Sequence, residues 1–192
     1  MEDPILKFKN WWGQALSNSP LKYKSAACVS TINKDGFPSG RFVDLKAVDE
    51  KGFTFCTSLD STKGLDIQTN PKVALTFWWE HVSYQVRVLG IATELDEALA
   101  IEYWNSRTRE AQITSSCFQQ SKVLENESDL SVRFEKTKSS LGEQDIPKPD
   151  SWGAYIIAPV SIEFLHFKES RLHLRELFEV NENEWEKSLL QP

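Results

Sequence analysis

A short stretch of the sequence combines cations with hydroxyl groups in a way that suits phosphate binding. Arg41 and Lys46 lie five residues apart on an apolar, β-branched run, and the hydroxyl-rich segment 58–63 ends in Lys63. Charged donors bind phosphate oxygens more strongly than neutral donors do. We therefore expect a pocket for a phosphate monoester here. The alternative is that Arg41 and Lys46 are surface cations at strand ends, with their stems along apolar surface.

A second row of basic residues lies near the C terminus. Arg171, His173 and Arg175 alternate with Leu172 and Leu174. In a strand this period of two places the three basic side chains on one face, where they repel each other unless an anion or an acidic partner lies opposite. The alternative is an exposed edge strand whose charges prevent aggregation.

Several other kinds of chemistry lack support in the sequence. There is no GxGxxG fingerprint, no P-loop and no GxSxG elbow. The histidines His81, His166 and His173 are too scattered to predict a metal site. The three cysteines have no CxxC spacing and are odd in number, which is typical of reduced thiols.

Length and composition favour one globular domain. The chain has 192 residues, of which 40% are hydrophobic and 26% are charged. The net charge of −6 argues against a nucleic-acid partner, which needs a basic face. No apolar run reaches membrane length and no signal peptide is recognisable, so we expect no membrane association and a cytoplasmic location.

Tight turns separate short apolar runs, as in an antiparallel barrel or sandwich. The Asp35-Gly36 pair is typical of a hairpin turn. Strands are expected at 26–32, 39–48, 53–57, 73–79, 83–94, 152–158, 161–167 and 171–180.

Helices are expected before, between and after the first set of strands. The predicted helices are 4–16, a short one ending before Asn70-Pro71, 97–107 and 130–141. Asp3 and Asp96 suit the N-caps of the first and third of these, and Tyr103 and Arg107 share a face because they lie four residues apart. The polar segment 108–128 gives no clear assignment, and 142–151 is predicted to be a loop.

The order and spacing of further motifs resemble those of the pyridoxamine 5'-phosphate oxidases, which are FMN-dependent split-barrel proteins. The segments that carry the resemblance are 41–46, 52–57, 61–63, 70–71, 77–79, 85–90, 103–107, 120–121, 147–153, 162–164 and 171–175. The most specific marker is Arg171-Leu172-His173-Leu174-Arg175 followed by the C-terminal Leu190-Gln191-Pro192.

The resemblance implies a mostly β fold with helices (α+β). It implies an antiparallel Greek-key split β-barrel of the FMN-binding type, which forms a homodimer. The implied single domain spans 1–192, with an N-terminal helix (1–17), the main barrel strands (26–94), a helical and polar insert (97–141) and C-terminal strands (152–192).

The resemblance also implies an FMN site at the homodimer interface that draws on both chains. Arg41, Thr57, Ser61 and Lys63 would hold the phosphate and ribityl chain, and Gln85 would meet the polar edge of the flavin ring. The complete set of implied cofactor-binding residues is Arg41, Phe42, Val43, Lys46, Cys56, Thr57, Ser61, Thr62, Lys63, Gln85, Gln120, Ser121 and Arg175.

The implied substrate is a small phosphorylated compound, pyridoxamine or pyridoxine 5'-phosphate. Lys46, Tyr103 and Arg107 would bind its phosphate, while Arg171 and His173 would lie over its ring as the catalytic residues. The implied reaction transfers a hydride from the C4' carbon to flavin N5, after which dioxygen reoxidises the flavin and yields hydrogen peroxide. Water then hydrolyses the imine formed from the amine substrate.

Several residues depart from the family pattern. These departures are Asp44 for leucine, Cys56 for tyrosine, Thr62 for arginine, Ala111 for serine, Leu165 for tryptophan and Leu174 for aspartate. Because the sequence starts late compared with longer members, we also expect no counterpart of the N-terminal segment that lies over their substrate. Two alternatives therefore stay open: an oxidase of another aromatic substrate, as in phenazine biosynthesis, and a binding protein for FMN or pyridoxal phosphate without turnover.

Overall fold

The computed structural model describes residues 2–17 and 19–192, whose strands form one antiparallel sheet closed into a barrel. The strands are β1 (Ala26–Ile32), β2 (Pro38–Asp49), β3 (Gly52–Ser58), β4 (Lys72–Trp79), β5 (Tyr84–Glu94), β6 (Trp152–His166), β7 (Leu174–Asn181) and β8 (Glu184–Leu190). Their order in the sheet is β3-β2-β1-β4-β5-β6-β7-β8, and an additional pairing of β3 with β6 closes a six-stranded barrel. Placing β4 beside β1 gives the expected Greek key.

The helices lie outside the barrel wall or at its ends. They are α1 (Pro4–Ser17), α2 (Thr62–Thr69), α3 (Glu97–Asn105), α4 (Arg109–Cys117) and α5 (Ser128–Leu141). The side chains of Asp3 and Asp96 accept hydrogen bonds from the first turns of α1 and α3, as expected. In the described part of the chain, no helix is both long and apolar enough to cross a membrane.

Local sequence signals explain the first hairpin. In the turn between β1 and β2, Gly36 adopts a φ of +84° and its amide donates to the carbonyl of Asn33. The buried positions of β1 alternate along the strand, as expected when one face of a strand meets the core. The register pairs Val29 with Arg41, which places Arg41 in the middle of the β1–β2 pairing.

Aromatic side chains fill the barrel and fix the first helix to it. Phe8 of α1 is fully buried, with its ring centroid 4.8 Å from that of Phe53 and 4.9 Å from that of Phe77. Such edge-to-face pairs add to the stability that burial alone provides. The β2–β3 wall that carries the candidate phosphate site is therefore backed by a packed core.

The prediction of two separate strands at 152–158 and 161–167 was wrong. They form one long strand, β6, in which a register shift opposite Leu89 and Gly90 accommodates Pro159. A proline removes one donor from the ladder, so it is tolerated at such a bulge. A Cβ on Gly90 would lie 2.5 Å from the carbonyl oxygen of Ala158, so glycine is required for this close approach.

The prediction of one strand over 171–180 was also wrong in part. Strand β7 begins at Leu174, and Arg171 lies in a turn with a φ of +64°. The amide of His173 donates to the carbonyl of Arg171, and His173 Nδ1 accepts from the amide of Lys168 at 3.1 Å. Arg171 and His173 therefore do not share a strand face with Arg175.

Candidate active site

The turn between β3 and α2 holds the first group of candidate residues. Ser61 is the N-cap of α2: its hydroxyl accepts from the amide of Gly64 at 3.3 Å and donates to the carbonyl of Ser58 at 2.6 Å. A Cβ on Gly64 would lie 2.1 Å from the carbonyl oxygen of Leu59, so only glycine permits this tight turn. The turn brings the side chain of Lys63 back toward the end of β3.

Lys63 is a buried cation surrounded by hydroxyl groups. Lys63 is 6% exposed, and its Nζ lies 2.8 Å from Thr57 Oγ1 and 3.1 Å from Ser61 Oγ. Burial, and then the charge of Arg41, lower the pKa of Lys63 from 10.5 to about 8. No ion pair of Lys63 occurs within residues 2–17 and 19–192. A phosphate group would supply the missing negative charge.

Arg41 is held in place by side chains that the sequence did not indicate. Its NH1 donates to Thr31 Oγ1 at 2.6 Å and its NH2 donates to Ser39 Oγ at 2.7 Å. The buried carboxylate of Asp66 accepts from Thr31 Oγ1 at 2.6 Å and lies 3.7 Å from Arg41 NH2. This network orients the guanidinium. The charge of Arg41 also contributes to the lowered pKa of Lys63.

A cavity of about 430 Å³ extends from Lys63 along β2, β3 and α4, a volume typical of small-ligand sites. The residues that line it are Phe42, Val43, Asp44, Lys46, Cys56, Thr57, Ser58, Lys63, Arg107, Thr114, Ser115, Phe118, Gln120, Ser151 and Trp152. Seven residues expected from the sequence to bind cofactor are among them. Thr57 Oγ1 also donates to Gln120 Oε1 at 3.3 Å, which joins the loop after α4 to this wall.

Arg107 also lines this cavity. Its guanidinium carbon lies 5.1 Å from the ring centroid of Trp104 and 5.0 Å from that of Trp152, a cation–π arrangement. Its NH2 donates to the carbonyl of Ala111 at 3.0 Å, whereas the buried NH1 has no partner among the described residues. Burial lowers the pKa of Arg107. A buried donor without a partner is costly, and an anionic ligand would satisfy it.

Two further predicted residues pack beside Arg107. Tyr103 and Cys56 both contact the small apolar cluster that contains Trp104 and Trp152. Burial raises the pKa of the Cys56 thiol to about 11, so this cysteine stays protonated at neutral pH and is a poor nucleophile. Burial also raises the pKa of Tyr103.

The remaining predicted residues lie elsewhere in the chain. Arg171 and His173 line a separate cavity of about 360 Å³ together with Phe167. Gln85 pairs with Leu165 across β5 and β6, and Arg175 Nε donates to the buried Glu163 Oε1 at 2.9 Å. Arg41, Ser61, Thr62 and Ser121 do not line the first cavity, although Lys63, which donates to Ser61 Oγ, does. One chain therefore brings together the parts of the expected site on β2, on β3 and after α3, but not the C-terminal part; α3 ends at Asn105, so the expectation that it extends to Arg107 was wrong.

Sequence reasoning missed several cavity residues. Thr114, Ser115, Phe118 and Trp152 were not predicted to line the site. The only local indication for the α4 residues was the N-cap Thr108, whose hydroxyl accepts from the amide of Ala111 at 3.4 Å. Trp152 carries only the signal of the family motif 147–153.

The residues around Lys63 fit the phosphate of FMN. They offer a buried ammonium, a fixed guanidinium and two buried hydroxyls, which is a donor set suited to a phosphate monoester. The observation that supports this fit is that the ammonium of Lys63 has two neutral hydroxyl partners and no anionic partner among the described residues. The flavin's other contacts would come from the Gln120 end of the wall and from residues outside this cavity.

Comparison with known proteins identifies the same family over most of the chain. Residues 18–140 match the family described as pyridoxamine 5'-phosphate oxidase, and residues 152–192 match the pyridoxine 5'-phosphate oxidase C-terminal dimerisation region. A protein of Leptospira interrogans named pyridoxine/pyridoxamine 5'-phosphate oxidase is 35% identical over 99% of this chain and 89% of its own length. A protein of the same name from Hahella chejuensis is 37% identical over 100% of this chain and 90% of its own length.

Solved structures show the same fold. PhzG from Burkholderia lata, in complex with tetrahydrophenazine-1-carboxylic acid, is 26% identical with a TM-score of 0.93, covering 100% of this chain and 94% of PhzG. A related FMN-binding protein from Nostoc punctiforme is 18% identical with a TM-score of 0.80, covering 96% of this chain and 97% of that one, and supports the fold alone.

Proposed function

Because the chain belongs to the pyridoxamine 5'-phosphate oxidase family, we propose that it oxidises pyridoxamine or pyridoxine 5'-phosphate to pyridoxal 5'-phosphate while O₂ is reduced to H₂O₂. Family membership confirms the expected split-barrel fold, the oxidoreductase class and FMN as the cofactor. It also supports a homodimer, since residues 152–192 match a dimerisation region. The substrate and the role of each residue belong to the proposal.

The observation that carries the proposal is the presence of three cations, Lys63, Lys46 and Arg107, on one cavity. We call the part at Lys63 the inner end and the part at Lys46 and Arg107 the outer end; Arg41 does not line the cavity, but its charge acts on Lys63. A cofactor and a substrate that each carry a phosphate need two cationic centres. In this assignment Lys63, Arg41, Thr57 and Ser61 hold the phosphate of FMN.

The outer centre then binds the substrate through its phosphate. The unpartnered NH1 of Arg107 donates to one phosphate oxygen, and Lys46 provides a second positive charge. Tyr103 does not line the cavity but packs against the apolar cluster of Trp104 and Trp152, over which the Arg107 guanidinium lies. Holding the phosphate fixes the distance between the substrate's reactive carbon and the flavin, which is the main contribution that the protein makes to such a reaction. FMN, when bound, accepts the hydride and passes the electrons to O₂.

A second copy of the chain supplies the groups that one chain keeps apart from this cavity. Arg171, His173 and Arg175 all fall within the segment 152–192 that matches the dimerisation region. Their cavity is separate in one chain. We infer that dimer formation brings the Arg171 and His173 turn of one subunit over the substrate bound by the other, with Arg175 and Gln85 near the flavin ring.

Steady-state assays test this function. The FMN-loaded protein should form equal amounts of H₂O₂ and pyridoxal 5'-phosphate from pyridoxamine 5'-phosphate under air. Unphosphorylated pyridoxamine should react far more slowly because it cannot engage Arg107 and Lys46. Equal rates with both compounds, or no peroxide from either, would contradict the proposal.

A second candidate is an oxidase of another aromatic compound. Its support is the likeness to PhzG, whose structure holds a tricyclic carboxylic acid, together with the carboxylate of Asp44 at the outer end of the cavity. Peroxide production from a reduced phenazine carboxylic acid, without turnover of pyridoxamine 5'-phosphate, would favour this candidate.

A further inference from the structure

The outer end of the cavity contains an acidic side chain where an anionic ligand is expected. Asp44 and Lys46 both line it, and Asp44 Oδ2 lies 2.7 Å from Lys46 Nζ. Among the described residues that line this cavity, Asp44 alone carries a carboxylate. The charge of Lys46 is therefore partly neutralised before any ligand arrives.

The position of Asp44 follows from the strand. Residues 44 and 46 are both exposed and flank the buried Leu45, at the point where the β2–β3 register shifts, and their side chains form an ion pair. The Asp44 side chain is 59% exposed and that of Lys46 is 32% exposed, so the pair sits at the cavity mouth and not in the core. A ligand that reaches Arg107 passes within the field of Asp44 as well as that of Lys46.

We propose that Asp44 is a specificity-determining residue, which lowers the affinity of the outer end for dianions such as phosphate monoesters relative to monoanions such as carboxylates. This inference rests on the proposed function, in which the outer end binds the anionic group of the substrate. Lys46 and Arg107 carry two positive charges and Asp44 carries one negative charge, so the net charge of the outer end is +1. It neutralises the single charge of a monoanion but only one of the two charges of a dianion. The repulsion from Asp44 acts twice as strongly on a dianion as on a monoanion at the same place.

A neutral replacement of Asp44 separates the effect of its charge from the effect of its shape. Asp44→Asn keeps the shape of the side chain but removes its charge and frees Lys46. Because the pair is largely exposed, the effect is expected to be modest: about fivefold tighter binding for a dianion and about twofold for a monoanion. Phenyl phosphate and benzoate are matched aromatic probes for the two charge states.

The experiment uses the FMN-loaded protein and follows shifts of the flavin absorption as each probe is added at pH about 8, where phenyl phosphate is a dianion. Asp35→Asn is the matched control, since Asp35 is an exposed residue in the β1–β2 turn that does not line the cavity. It changes the net charge by the same amount. Thermal unfolding of both variants checks that each is folded.

The expected result is a gain in phenyl phosphate affinity for Asp44→Asn that exceeds its gain for benzoate, with no change for Asp35→Asn. Equal gains for both probes, no gain for either, or no binding of either probe to the wild-type protein would overturn the assignment. Turnover of pyridoxamine 5'-phosphate is measured separately. A protein that discriminates between the probes as expected but does not oxidise this substrate would contradict the proposed function and leave the role of Asp44 standing.

Discussion

The ammonium group of Lys63 lies 2.8 Å from Thr57 Oγ1, and both residues are buried. Two neutral hydroxyls satisfy the donors of Lys63 only in part, and they bring no negative charge. Burying a cation in this way is unfavourable by itself, which is why the pKa of Lys63 is lowered to about 8. The fold tolerates this cost at a position where a phosphate group would remove it.

Replacing Lys63 should weaken FMN binding and leave riboflavin binding nearly unchanged. Hydrogen bonds to charged groups contribute about 1.5–3 kcal/mol, so Lys63→Met is expected to raise the dissociation constant for FMN by about 10- to 100-fold. Quenching of flavin fluorescence measures both affinities. Lys51→Met is the matched control because Lys51 is exposed in the turn before β3. A variant that loses both flavins equally would show that Lys63 does not act on the phosphate.

FMN affinity should fall as the pH rises through the pKa of Lys63. The protonated amine binds phosphate, and its pKa of about 8 in the free protein means that half of it is neutral at that pH. The affinity is therefore expected to fall about tenfold between pH 7 and 9. Titrations of the flavin-free protein across this range test the prediction, and Lys63→Met should lose the dependence.

The same shift has a consequence for the stability of the flavin-free protein. Since the pKa of Lys63 is lower in the folded chain than the ordinary 10.5, the unfolded chain binds more protons between pH 8 and 10.5. The contribution of Lys63 to the free energy of unfolding therefore increases with pH in that window. Urea unfolding of wild type and Lys63→Met at several pH values isolates this contribution, and a decrease relative to the variant would contradict the assignment.

Arg107 should control substrate affinity more than it controls folding. Arg107→Gln removes the unpartnered buried NH1 and its charge, so the KM for pyridoxamine 5'-phosphate is expected to rise by about 10- to 100-fold. Arg109→Gln is the control, since Arg109 donates to the backbone carbonyls of Gly142 and Gln144 and does not line the first cavity. Similar KM values for the two variants would place the substrate phosphate elsewhere.

Glu163 should act on the flavin through Arg175. This carboxylate is 3% exposed and lies 2.9 Å from Arg175 Nε on one side and 2.6 Å from Arg87 NH2 on the other. Glu163→Gln is expected to weaken FMN binding several-fold and to shift the flavin absorption, because it loosens Arg175. Arg87→Gln breaks the other ion pair and should leave both properties unchanged. If the two variants lower stability alike and leave the flavin spectrum alone, Glu163 is only structural.

The strands of the first half were predictable because their signals are local. Strand β1 has the predicted bounds, and β2 to β5 differ by one residue at most at each end, since alternating apolar residues and turn residues mark them. Helix α4 escaped prediction because it is polar and buries only Ile113. The proline that divided the predicted β6 sits in a bulge, and a bulge depends on the neighbouring strand.

The candidate site was predictable only where its residues are close in sequence. The segment 57–63 carries its own turn and N-cap, so its hydroxyls and Lys63 were found together. Thr31 and Asp66 escaped notice because they meet Arg41 only when β1, β2 and α2 pack. The periodicity argument for Arg171 and His173 failed since a left-handed turn, which the alternation does not reveal, precedes β7. Their place at a dimeric site stays a prediction.

The most direct test of the account is anaerobic mixing of the FMN-loaded protein with pyridoxamine 5'-phosphate while the flavin absorption is recorded. Without oxygen, hydride transfer leaves the flavin reduced, so we predict complete loss of its visible absorption band and formation of one pyridoxal 5'-phosphate per flavin. The band should return when air is admitted. A flavin that stays oxidised with saturating pyridoxamine 5'-phosphate, in a protein that binds this compound, would contradict the central claim.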